Sequence, residues 1–243
     1  MIKEIKSRQN ELIKEVAKLS DASFRKQQKK FKVDGFHMFE MAKEANQLSE
    51  VFTLKEIKDL DKSIPQYLVS EEVLDKISSS KSPQGIVSVC KFKVEKPISS
   101  NRVLYLDDVS DPGNLGTILR TALAFGFSNV ILSKNCCSIY NEKTLQASQG
   151  AIFNLNIVLD KSLAELKAKG YEILATEIKG SISLNEVKKN DKFILVLGNE
   201  AHGVSEPILK LADKHVRIDI DSIESLNVAI AGAIAMYELS KNK

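Results

Sequence analysis

The chain has 243 residues, 43% hydrophobic and 28% charged, with a formal net charge of +3. That balance excludes a disordered chain and supplies apolar material for one large α/β domain or a small domain joined to a medium one. No apolar run approaches the roughly 18–20 residues of a bilayer-spanning helix, and the polar start Met1–Asn10 does not read as a signal peptide. A cytoplasmic location without membrane association is therefore expected.

The positive charge sits at the front. Residues 1–32 hold ten Lys/Arg against four Asp/Glu, whereas from Asn101 onward 16 basic residues face 17 acidic ones. Such a run is either a solvated helix face or a surface that contacts RNA phosphates. Ile2, Ile5, Leu12, Ile13, Val16 and Leu19 recur at spacings near three and four, which predicts an amphipathic helix over 2–19. The stretch DASFRKQQKKFK continues the basic character. After it come an apolar run at FKVDGF, a helical pattern at His37–Ala45, and the short stretches VFTL, QYLVS, EEVLDKISS and GIVSVCKF. These predict a small α/β unit over 1–94. The Pro/Ser-containing EKPISSN at 95–101 reads as a linker.

From 102 to 243 strand and helix patterns alternate: VLYLDDV, LGTILRTALAFG, NVILS, EKTLQASQGA, NLNIVL, SLAELKAKG, YEILATEI, FILVLGNE and the apolar LNVAIAGAIAMYELS. The alternation predicts a mostly parallel sheet covered by helices on both faces. Cys90 and the adjacent Cys136 and Cys137 form neither a disulfide framework nor a CxxC pair, and His37, His202 and His215 stand in no metal-ligand spacing. Reduced thiols and no metal site are expected.

Three segments join a strand to a polar or glycine-containing turn, the place where ligands bind in open α/β sheets. In LDDVSDPGNLGTILRTALAFGF, Gly113 and Gly116 flank Asn114, and Arg120 follows six residues later on a helix expected to start near Leu115. Asp111-Pro112-Gly113-Asn114 reads equally as a turn with a helix cap. The glycines fit neither GxGxxG nor GxxxxGK[ST], which excludes the dinucleotide and P-loop readings. In FILVLGNEAHGVS an apolar strand runs into Gly198, Asn199 and Glu200; Glu200 is either a solvated turn residue or the partner of a cation such as Arg120. In IDIDSIESLNVAIAGAIAMYEL, Ser225, Leu226 and Asn227 precede a buried helix. Ser225 reads equally as its N-cap, and Ala231, Gly232 and Ala233 allow another helix to pack closely, within the chain or across a dimer interface.

In order and wording these three segments resemble the motifs of the SpoU, or TrmH-like, RNA ribose methyltransferases over Val103–Leu239. The first unit, through VDGFHMFEMA and SPQGIVSV, more loosely resembles the family's RNA-binding extension. The resemblance implies an S-adenosylmethionine-dependent enzyme that methylates a ribose 2′-hydroxyl, in rRNA in preference to tRNA. It further implies a C-terminal deep trefoil knot and a homodimer in which both chains build each active site. It makes Arg120 the central catalytic residue, assisted by Asn114, Glu200, Ser225 and Asn227. It places the cofactor against Thr176, Gly198, Asn199, Ile218 and Leu226. Because an arginine guanidinium stays charged in proteins, Arg120 is expected to grip an RNA phosphate and polarise the hydroxyl, with Glu200 orienting it. The family usually carries a Pro and a Gly before SLN, and Ile218–Glu224 has neither. That departure predicts an altered cofactor loop that still binds through its backbone. A non-catalytic RNA-binding or ribosome-assembly protein is the competing expectation, and retention of all five motif residues argues against it.

Overall fold

The structure, a computed structural model, describes residues 3–80, 82–178 and 181–241. It divides into two units, Met1–Val94 and Glu95–Lys243. In the first, a short strand β1 (Lys3–Ile5) precedes a helix α1 (Glu11–Lys18), and Asn10 caps that helix by accepting the Leu12 N–H at 3.0 Å. The helix expected over 2–19 is thus corrected to a strand, a polar turn and a shorter helix. The apolar period persists within α1, where Ile13 and Val16 are buried, while Ile2 lies outside the described residues. The unit continues through α2 (Ala22–Gln28), β2 (Lys30–Asp34), α3 (Phe36–Glu44), β3 (Leu48–Thr53), β4 (Gln66–Val69), α4 (Glu71–Ile77) and β5 (Ile86–Lys91).

Its sheet runs in the order β1-β4-β3-β5-β2, with β5 antiparallel to both neighbours and the other pairs parallel. Ile13, Val16 and Leu19 with Val73, Leu74 and Ile77 of α4 close over Phe52, Val87 and Val89. The basic segment also serves this interior. Arg25 is buried and donates to Leu19 O and Ser20 O at 2.8 and 2.7 Å, and buried Lys32 donates to Ile77 O at 2.7 Å.

The second unit contains β6 (Arg102–Leu106), α5 (Pro112–Ala124), β7 (Asn129–Leu132), α6 (Glu142–Ser148), β8 (Asn156–Leu159), α7 (Leu163–Ala168), β9 (Glu172–Thr176), β10 (Ile182–Ser183), β11 (Phe193–Leu197), α8 (Glu206–Leu211), β12 (Lys214–Arg217) and α9 (Val228–Lys241). Its sheet order is β10-β12-β9-β11-β6-β7-β8, with every adjacent pair parallel. The expected parallel sheet is present. The sequence patterns missed β10, α8 and β12, each too short to establish a period.

Residues alternate across the strands. Val103, Tyr105, Ile173, Ala175, Ile194 and Val196 pack with Leu163 and Leu166 of α7. On the other face a Cβ added to Gly232 would stand 2.6 Å from Leu197 Cδ1, so the small residues of α9 let that helix settle on a strand. From β6 the chain steps outward through β7 and β8, then crosses to β9, and β11 is laid between β6 and β9. The carboxyl ends of β6, β11 and β9 therefore meet where the strand order reverses, the usual position of a ligand crevice. Among the described residues no helix is long and apolar enough to cross a membrane.

Candidate active site

At the end of β6, Asp111 caps α5 by accepting the Asn114 N–H at 2.7 Å, with Pro112 in the first turn. The helix therefore starts at Pro112 instead of near Leu115, and Asn114 belongs to its first turn. At the end of β11, Gly198 is required by close approach. A Cβ there would stand 2.1 Å from Gly203 C and 2.2 Å from Val204 N, both backbone atoms. The chain closes on itself through Asn199 N to Gly203 O and Gly203 N to Asn199 O, each 2.9 Å. The Asn199 amide holds this loop, accepting from Ala201 N at 2.8 Å and His202 N at 3.2 Å and donating to Asp108 O at 2.8 Å. Buried Asp107 accepts the Ser205 N–H at 2.7 Å and fixes the loop's far side.

This geometry aims Glu200 at the start of α5. Its Oε1 accepts from Asp111 N and Asn114 Nδ2, both at 3.1 Å, and its Oε2 accepts from Ser110 N at 3.2 Å and Ser110 Oγ at 3.1 Å. Asn114 Oδ1 in turn accepts from Asn227 Nδ2 at 3.0 Å. Asn227 Oδ1 accepts from Ala229 N at 2.9 Å and Ile230 N at 3.3 Å, so Asn227, and not Ser225, caps α9. One hydrogen-bonded line, Glu200–Asn114–Asn227, thus joins all three segments singled out in the sequence.

Partial burial works against ionisation of Glu200. The bonds from Asn114, from its own backbone and from the Asp111 and Ser110 N–H groups outweigh it and hold the carboxyl down to about 2. So weak a base stays ionised at physiological pH and serves as a fixed acceptor instead of a proton acceptor.

Beside this line lies a cavity of about 1110 Å³. Asn114, Thr176, Gly198, Asn199, Glu200, Ile218, Ser225, Leu226 and Asn227 all line it. Arg120 does not. It is exposed and makes no hydrogen bond or ion pair among the described residues. Six residues of helix carry it about 9 Å along α5 and about 120° round from Asn114. Within the chain Glu200 is therefore not bonded to Arg120: it accepts from the Ser110 and Asp111 N–H groups just ahead of α5 and from the Ser110 and Asn114 side chains.

The profile of the SpoU rRNA methylase family matches residues 101–237, more than half of the chain. The chain belongs to the SpoU rRNA methylase family. An MRM3-like substrate binding domain profile matches residues 10–88 of this SpoU chain. The chain is similar to the 23S rRNA (guanosine(2553)-2′-O)-methyltransferase RlmP of Bacillus subtilis strain 168, with 34% identity over 98% of this chain and 99% of that protein. It is similar to the crystal structure of an RNA 2′-O ribose methyltransferase, at 26% identity and a TM-score of 0.80, covering 98% of each chain. It also shares the fold of an AdoMet-bound rRNA methyltransferase from Sinorhizobium meliloti, at 24% identity and a TM-score of 0.88, covering 99% of this chain and 98% of that one.

The SpoU motifs pointed to the residues that converge, but not to those that set them in place. Ser110 and Asp107 escaped notice because their roles depend on Glu200 and on the loop ending at Ser205, some ninety residues away. The one local signal was the acidic run Asp107-Asp108 at a strand end.

Proposed function

We propose that this SpoU chain is an S-adenosylmethionine-dependent RNA methyltransferase that methylates a ribose 2′-hydroxyl in rRNA. The observation that carries this reading is the Glu200–Asn114–Asn227 line at the rim of one cavity at the strand ends. The similarity to the Bacillus subtilis 23S rRNA 2′-O-methyltransferase over nearly the whole chain supports the substrate class.

The cavity suits the cofactor. It has room for an adenosyl group, apolar walls from Leu184, Leu209, Leu226 and Val228, and the carboxylates of Glu200 and Glu224, which complement a cation. Thr176, Gly198, Asn199, Ile218 and Leu226 would hold it chiefly through their backbone. Thr176 Oγ1 already donates to Val196 O at 3.0 Å and the Asn199 amide is engaged in its loop. When bound, S-adenosylmethionine supplies a methyl group activated on a sulfonium centre.

The protein's task is then to align a weakly nucleophilic hydroxyl and manage its proton. Ser225 lines the cavity, and its hydroxyl makes no hydrogen bond among the described residues, leaving it available to the substrate. Asn114 and Asn227, hydrogen-bonded to each other, line the same cavity. Arg120 would grip an RNA phosphate and polarise the hydroxyl.

Because Arg120 stands outside its own chain's cavity, the reading includes a homodimer in which both copies build each active site. Ile230, Ile234 and Tyr237 on α9, spaced four and three apart and 52, 36 and 47% exposed, form an apolar face that a second copy would cover. Ile234→Glu is expected to convert the protein to a monomer in light scattering after size exclusion; an unchanged dimer contradicts this interface. A trefoil knot in the C-terminal segment is part of the same proposal, supported by membership of the SpoU family.

The proposal assigns residues 1–94 to RNA substrate binding, 95–101 to a linker and 102–243 to catalysis. Lys26 and Lys29 are exposed and free of ion pairs among the described residues. Replacing both by glutamine is expected to reduce the slope of log affinity against log salt by about 0.7–0.9 for each phosphate contact removed. An unchanged slope in a filter-binding titration contradicts this surface. The function itself is tested by transfer of labelled methyl to deproteinised rRNA and tRNA followed by nucleoside digestion. A 2′-O-methylnucleoside from rRNA supports the reading, and a methylated base overturns it.

A further inference from the structure

A polar pair at the cavity wall is used by none of these roles. Glu177 follows Thr176 at the end of β9 and lines the cavity. Its backbone N–H donates to Val216 O at 2.9 Å, which holds it against β12. His215 of β12 pairs with Ala175, so its ring shares a sheet face with the residue two positions along β9 from Ala175, namely Glu177. His215 Nδ1 meets Glu177 Oε2 there. The other carboxylate oxygen accepts no hydrogen bond among the described residues. A carboxylate anchored through one oxygen, with the second open at a cavity wall, is an acceptor-only group lacking its donors.

Position decides which donors these are. Asn114, Glu200 and Asn227 mark the reacting end, at the carboxyl ends of β6 and β11. β9 is separated from β6 by β11, about 9–10 Å at ordinary strand spacing. Glu177 therefore lines the cavity one strand further from β6 than Glu200 does, in a wall that also holds the apolar Leu184 and Val216. Arg217 follows Val216 on the adjacent strand, and Val216 pairs with Thr176, so Glu177 and Arg217 occupy neighbouring positions. Arg217 is itself paired with Asp219, its Nε 3.0 Å from Asp219 Oδ1, and so leaves Glu177 without it as a partner.

We propose that Glu177, oriented by His215, receives the ribose 2′- and 3′-hydroxyls of the bound cofactor. This rests on the S-adenosylmethionine reading above. His215 is a positioning residue and Glu177 a binding residue.

Calorimetric titration of the full chain with S-adenosylmethionine, S-adenosylhomocysteine and 5′-methylthioadenosine tests it. The last ligand keeps the ribose and lacks both the sulfonium and the amino acid. Glu177→Gln is expected to weaken all three by a similar factor of about tenfold or more, the usual effect of losing charge-assisted hydrogen bonds. His215→Phe should repeat the pattern more weakly, with His215→Gln, which keeps a donor, restoring affinity. Removing the 2′-hydroxyl from 5′-methylthioadenosine should weaken binding to the unmodified protein and leave the Glu177→Gln variant unaffected. This arm compares two ligands within each protein and is independent of any loss of stability.

Weakened S-adenosylmethionine binding with unchanged 5′-methylthioadenosine binding would overturn the proposal in favour of a contact to the cationic end. Unchanged affinity for all three would overturn it outright. If the unmodified protein bound no S-adenosylmethionine, the cofactor reading would fall first and the proposal with it.

Discussion

Replacing Arg120 by alanine is expected to lower methyl transfer about 10²–10³-fold, the usual effect of removing one preorganised charge-stabilising donor, and to leave cofactor affinity unchanged. The side chain is exposed, lies off the cavity and has no hydrogen bond or ion pair among the described residues, so its loss disturbs neither the fold nor the cavity walls. Arg120→Lys should recover only part of the rate, because an ammonium keeps the charge but loses the planar fork that fits a phosphate. Single-turnover transfer rates and calorimetric cofactor affinities on the same preparations check this. Weak cofactor binding with transfer retained would contradict the assigned role.

Replacing Gly198 by alanine should do the converse, abolishing cofactor binding and lowering the melting temperature. The added Cβ meets backbone atoms of Gly203 and Val204 at 2.1 and 2.2 Å, which cannot rotate away as a side chain would. Overpacking of this kind costs about 1–3 kcal/mol. The greater effect is on geometry, since the same loop carries Glu200 to Asn114 and Ser110. Gly203 is the internal control. Its φ of +71° disfavours alanine, but nothing lies within 4 Å of an added Cβ. Gly203→Ala is therefore expected to lose some stability and keep cofactor binding. If Gly198→Ala bound cofactor as the unmodified protein does, the close approach would not matter to the site.

How much of this was legible beforehand depended on distance along the chain. The long apolar strands β6 and β11 and the helices α5 and α9 announced themselves by periodicity, and the motif residues fell at their ends. Short elements such as β12, four residues of alternating character, carry no such signal. Hydrogen-bond partners were harder still. Glu200 has two candidate roles in the sequence, and neither names the segment ahead of α5, whose Ser110 and Asp111 N–H groups become its neighbours only after β11 lies beside β6. Ser225 reads as the cap on composition alone, whereas the Asn227 amide two residues later is the group that reaches the helix N–H groups. The helix predicted over 2–19 runs too long because Ile5 and Leu12 are spaced as helical neighbours, while Asn10 between them starts a helix and therefore ends whatever precedes it.

Everything proposed for this chain converges on methylation of a ribose 2′-hydroxyl in rRNA. Mass-spectrometric mapping of rRNA and tRNA from cells with and without this protein tests that most directly. The predicted result is a single 2′-O-methylnucleotide in rRNA that disappears with the protein and returns with the unmodified chain but not with Arg120→Ala. Unchanged rRNA, or loss of a base methyl group or of a tRNA modification instead, would contradict it.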